Sequence, residues 1–165
     1  MAVHRTQLFS AIGASLWLVV LIGDQAAPDG ALSAELRTHL QNERLQVVTS
    51  LRGLPLGVRN GLQMLFESQS LDIAEPGAEF DRSDTNVNVN LPNRRLVAAG
   101  CSHDHCLVYY ERIDKSHTWQ VALFHWSPEE TRFEWGGTAR GGLKTIDDVR
   151  AATLSGAIKR TAGPW

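Results

Sequence analysis

The sequence predicts an α+β fold: a four-stranded antiparallel meander preceded by two helices and followed by one short helix. Three observations carry that reading. Four segments rich in β-branched and aromatic residues follow one another after residue 95. The polar loops between them are only four residues long. The stretches flanking this block repeat apolar residues at three-to-four spacing.

The strand segments are Leu96 to Ala99, Leu107 to Glu111, Thr118 to Trp126 and Thr131 to Trp135, joined by Ser102 to His105, Ile113 to Ser116 and Ser127 to Glu130. Connections this short join antiparallel neighbours, because a parallel crossover needs a dozen residues or more. Symmetric pairing across each loop sets Cys101 opposite Cys106, Tyr110 opposite Trp119 and Phe124 opposite Phe133. One face then carries Val97, Ala99, Val108, Tyr110, Trp119, Val121 and Leu123. The other carries Leu96, Leu107, Tyr109, Ala122, Phe124, Trp126, Phe133 and Trp135. Both faces are apolar, so both need cover; helices are expected on one, and another segment or a partner on the other.

Before the meander, Leu32, Leu36, Leu40, Leu45 and Val48 recur with polar residues between them and predict an amphipathic helix over residues 31–48. Pro55 suits the first turn of a second helix reaching about Glu67, with Val58, Leu62, Leu65 and Phe66 as its apolar side. Residues 69–93 contain Pro76-Gly77 and Pro92-Asn93, and read as a long surface loop with one short strand at Val87 to Leu91. Beyond the meander, a glycine-rich turn follows Gly136 and Gly137. Thr145 and Asp148 then have capping-box spacing for a helix running to about Ser155, which Gly156 is placed to end. The last residues are expected to fray.

The N-terminus has a different character. His4 and Arg5 precede an uncharged stretch from Leu8 to Gly23, matching the basic and apolar regions of an export signal. Sixteen residues fall short of the roughly 20 that span a bilayer as a helix. Residues 1–23 are therefore read as a signal peptide or signal anchor, 24–30 as a linker and 31–165 as a single domain. The expected location is periplasmic or secreted, the alternative being an inner-membrane anchor with the domain facing the periplasm. A net charge of -2 and the lack of a basic stripe argue against nucleic acid as a partner.

Chemistry concentrates in Cys101-Ser102-His103-Asp104-His105-Cys106. Outside the cytosol, two cysteines closing a four-residue hairpin loop point to a disulfide. His103, Asp104 and His105 offer imidazole and carboxylate donors, so a metal site on the turn is the rival reading. Thiol redox chemistry lacks a Cys-x-x-Cys arrangement. The run Gly137 to Thr145 resembles a phosphate loop, but Leu143 separates Gly142 from Lys144 where the motif needs them adjacent. No organic cofactor is expected, and there is no nucleophile elbow of the G-x-S-x-G type.

The expected function is that of a non-enzymatic exported module. It would bind a protein or cell-envelope component through an open sheet face, with Tyr109, Trp126 and Trp135 as contact residues, and through the rigid 102–105 turn. Any membrane contact would run through an uncleaved N-terminal segment. The alternative is a metal-binding or metal-dependent protein working at His103, Asp104 and His105.

Overall fold

The computed structural model describes residues 31–83, 90–113, 116–163 and 165. The export segment and most of the predicted strand at Val87 to Leu91 lie outside them. Among the described residues, no helix is long and apolar enough to cross a membrane.

The fold is α+β, built on a six-stranded antiparallel sheet whose spatial order equals the chain order. Helix α1 (Ala34–Asn42) starts at Ser33, whose hydroxyl accepts from the Leu36 amide, and stops at Glu43, where the backbone turns extended. The predicted helix to Val48 is therefore too long. Leu45 falls five residues after Leu40, off the helical repeat, Val47 and Val48 are β-branched, and β1 (Gln46–Val48) pairs with Cys101, Gly100 and Ala99 at the sheet edge. A 3-10 turn (Leu51–Gly53) leads into α2 (Leu56–Leu65), with Pro55 as N-cap and Val58 and Leu62 buried. The glycines of α2 are sites of close approach: a Cβ on Gly61 would stand 2.9 Å from the Phe124 ring, and one on Gly57 would stand 2.0 Å from Thr131 Oγ1.

The four central strands are β2 (Arg94–Cys101), β3 (His105–Ile113), β4 (His117–Trp126) and β5 (Thr131–Ala139), with β6 (Lys159–Arg160) closing the far edge. Cys101 faces Cys106, and Phe124 faces Phe133, as symmetric pairing requires. Tyr110, however, faces Gln120 and not Trp119, because β3 and β4 stay paired up to Ile113 and His117. That one-residue shift moves side chains to the opposite face. Bulges at Val97 and Glu134, each left without a cross-strand partner in the ladder, displace the alternation further.

The helices divide between the two faces. Leu107, Tyr109, Val121, Leu123 and Trp135 lie beneath Leu40 of α1 and Ile146 and Val149 of α3 (Ile146–Leu154). Leu96, Ala99, Val108, Tyr110, Ala122 and Phe124 lie beneath α2 and Ile73. The 71–81 segment also joins the sheet: Leu96 donates its amide to Ala74 and Ala74 to Arg94, and Phe80 is buried. The predicted surface loop is thus partly a second covering layer.

Toward the C-terminus, β5 runs past the predicted end at Trp135 through Gly136 and Gly137 to Ala139, and a side chain on Gly137 would meet the Lys159 carbonyl at 2.5 Å. The turn falls at Gly141 and Gly142, both with positive φ. The Thr145–Asp148 capping box opens α3 as predicted. Trp165 does not fray: its ring lies against Phe133, and its main-chain oxygen accepts from Arg94 and Arg112.

Candidate functional site

The β2–β3 turn carries both cysteines, and four of the six histidines, His39, His103, His105 and His125, lie on it or beside it. Cys101 and Cys106 stand at disulfide distance, with Cα atoms 4.1 Å apart. Inside the clasp, the Ser102 amide donates to the His105 carbonyl, and the Ser102 hydroxyl receives the amides of Asp104 and His105. The turn is rigid at both ends, which separates its two histidines. His103 projects into solvent, 98% exposed, with Nδ1 2.5 Å from an Asp104 oxygen. His105 is the first residue of β3, and its side chain is 5% exposed.

His105 meets groups that the turn does not contain. Glu43, just past the end of α1, accepts from Nδ1 of His105 at 3.0 Å and faces Nδ1 of His39 at 2.5 Å. The Ser102 hydroxyl donates to the other Glu43 oxygen. On the far side of the His105 ring, Nε2 lies 3.6 Å from Oε2 of Glu134, a buried oxygen that has no hydrogen-bond partner. Arg132 holds the other Glu134 oxygen at 2.7 Å. His125 is the β4 partner of His105, with ring centroids 5.4 Å apart. His39, His105, His125, Arg132 and Glu134 border a cleft of about 520 Å³ that Glu35, Leu36 and Asp104 also line.

Electrostatics follow from this arrangement. Burial alone pushes the Glu43 carboxyl up, but hydrogen bonds from Ser102 and His39 and the neighbouring His105 outweigh it and leave the group below its ordinary range. Hydrogen bonding to Asp104 raises the His103 imidazole, and the same contact lowers Asp104. The Ser102 hydroxyl is directed to Glu43 and to the His105 carbonyl, not to an imidazole nitrogen, so the geometry is not that of a base-activated serine.

Of the turn residues read from sequence as metal donors, the structure brings His105 to the buried cluster and leaves His103 paired with Asp104 outside it; Asp104 lines the cleft mouth. Sequence reading missed His39, Glu43, His125 and Glu134. His39 and Glu43 are four residues apart, a spacing that places them on one side of a helix end, and this was the available signal. His125 was hidden by the register shift. Glu134 was hidden by the bulge, which strand alternation cannot show.

The proposed contact residues do not form a surface. Tyr109 is fully buried and Trp135 is 4% exposed, because α1 and α3 cover their face. Trp126 is half-buried, with an indole nitrogen that is buried and unpartnered. Among the described residues the large apolar side chains that stand exposed are Val47, Leu56 and Met64, none of them in the four central strands.

Comparison with protein-family models, with curated proteins and with solved structures finds no match to this chain.

Proposed function

We propose that this protein is an exported, non-enzymatic binding domain, periplasmic or secreted, that takes a small cationic ligand in the cleft between α1 and the adjoining ends of β3, β4 and β5. The observation that carries the reading is the part-buried Glu134 carboxylate, placed by a β-bulge, whose buried Oε2 lacks a hydrogen-bond partner beside His105. A buried oxygen left unpaired costs about 1–3 kcal/mol, more for a charged group, and bulges recur where a strand must re-aim a side chain at a site. The cleft lining counts Glu35, Asp104 and Glu134 against Arg132, a balance that favours a cation.

The export part of the proposal draws on the Leu8 to Gly23 run and on the paired cysteines. The cleft reading is preferred to a protein or cell-envelope partner on a sheet face because Tyr109 and Trp135 are buried and helices pack on both faces.

Thermal-shift measurement on the mature protein with organic amines, divalent cations and organic anions at constant ionic strength tests the binding reading. Stabilisation by at least one class of cation, reduced in Glu134→Gln, is expected. No cation shift, or one that Glu134→Gln leaves intact, overturns it. Fractionation with intact-mass analysis tests the location: a cytoplasmic chain with free thiols would end the export proposal.

A further inference from the structure

We infer that the cation is a transition-metal ion of the zinc or cupric type, held by Nδ1 of His39, Nδ1 of His105 and the carboxylate of Glu43. The inference rests on the cleft reading above and narrows its ligand.

One donor atom from each of these three residues lies within 4.8 Å of the others. Tetrahedral bonds of about 2.0–2.2 Å hold neighbouring donors roughly 3.4 Å apart, so an ion draws this set together with small side-chain adjustments. Both Nδ1 atoms already face the same Glu43 oxygen, at 2.5 and 3.0 Å. The ion takes the place of the protons now shared there. Ser102 occupies the second oxygen of Glu43, which leaves Oε1 as the ligating atom.

The surroundings supply what a metal-bound imidazole needs. When Nδ1 of His105 binds an ion, its ring proton resides on Nε2, the nitrogen 3.6 Å from the unpartnered oxygen of Glu134. Metal-ligating histidines nearly always donate their second N–H to a carboxylate, a carbonyl or water, which fixes tautomer and ring orientation. The empty acceptor on Glu134 is thereby explained, and Arg132 keeps it in place. Donor chemistry sets the class of ion. Two imidazoles with one carboxylate suit Zn²⁺ or Cu²⁺; Ca²⁺ and Mg²⁺ prefer all-oxygen shells. Three protein donors leave a further coordination position available.

Zn²⁺ and Co²⁺, the latter as a spectroscopic probe, are titrated into the mature, disulfide-intact protein. One equivalent is expected to bind. His105→Ala and Glu43→Gln should each weaken binding at least about 10-fold, and Glu134→Gln by about 10- to 100-fold, through loss of the outer acceptor. His103→Ala should change it less than about twofold, because that side chain points to solvent. X-ray absorption of the unmodified, metal-loaded protein should show two imidazoles, oxygen and no sulfur, a readout independent of whether the variants fold. Sub-stoichiometric uptake, an imidazole-free spectrum, or equal loss in His103→Ala overturns the inference. If organic amines still bind through Glu134 while neither ion does, the metal assignment fails and the cationic cleft stands.

Discussion

Opening the Cys101–Cys106 bond is the perturbation whose size follows most directly from the structure. In the folded chain, the β2–β3 ladder and the Ser102–His105 hydrogen bond already close this turn, so the covalent link adds little there. Its effect lies in the unfolded chain, where it forbids the open conformations of a short loop. For a sequence separation of 5, the loop-entropy relation gives about 2 kcal/mol at 25 °C. That corresponds to a fall in Tm of roughly 6–10 °C for a domain of this size. Urea unfolding of the oxidised protein, of the reduced protein and of a Cys101→Ala/Cys106→Ala double variant measures it. Reduction should reproduce the 2 kcal/mol, and the double variant should lose somewhat more, since Cys106 is fully buried and its truncation leaves a small void. Identical midpoints for oxidised and reduced protein would refute the reasoning, as would complete unfolding of the reduced form at 25 °C.

Three further expectations can be checked by the same unfolding measurements. Leu62→Ala removes a fully buried side chain between α2 and the sheet and should cost about 2–5 kcal/mol. Gly137→Ala drives a methyl into the Lys159 carbonyl at 2.5 Å; a loss of about 1–3 kcal/mol is expected, with faster amide exchange in residues 158–161, and wild-type stability would contradict the β5–β6 pairing. In the α3 capping box, hydrogen bonds from the Thr145 side chain and from the Thr145 and Lys144 amides hold Asp148 below its ordinary value of 3.8. Its contribution is complete above that value and lost as the pH falls through the lowered folded one, so Asp148→Asn should flatten the acid limb of stability; an unchanged limb would contradict the cap.

How far the sequence reaches depends on the physical range of each signal. The capping box and the cysteine-closed hairpin involve residues three to five apart, and both were legible. The central strands were legible because β-branched and aromatic residues cluster between short polar loops. Strands β1 and β6, of 3 and 2 residues, are too short to show any alternation, and both exist only because a longer neighbour offers them an edge. Gly136 and Gly137 carry no local strand signal; their reason is the crowding of Trp165, Phe133 and Lys159 over β5, which is tertiary information. The site repeats the lesson. His105 stood out in a dense motif, whereas His39 looks like one more polar residue on an amphipathic helix, and Glu134 owes its direction to an unpaired position that no hydropathy pattern marks.

The agreement between strand order and chain order has a kinetic meaning. Every ladder from β2 to β5 closes by a hairpin, so pairing can spread outward from the middle without threading, and such local topologies are expected to fold quickly. The exceptions are β6, which returns to β5 after α3, and β1, which must cross from Val48 to the strand beginning at Arg94 and closes the longer loop. Because α1 immediately precedes that strand, His39 and Glu43 reach His105 only once this long-range closure is made. A spectroscopic reporter on His39 should therefore register the final stage of folding, well after the hairpins have formed.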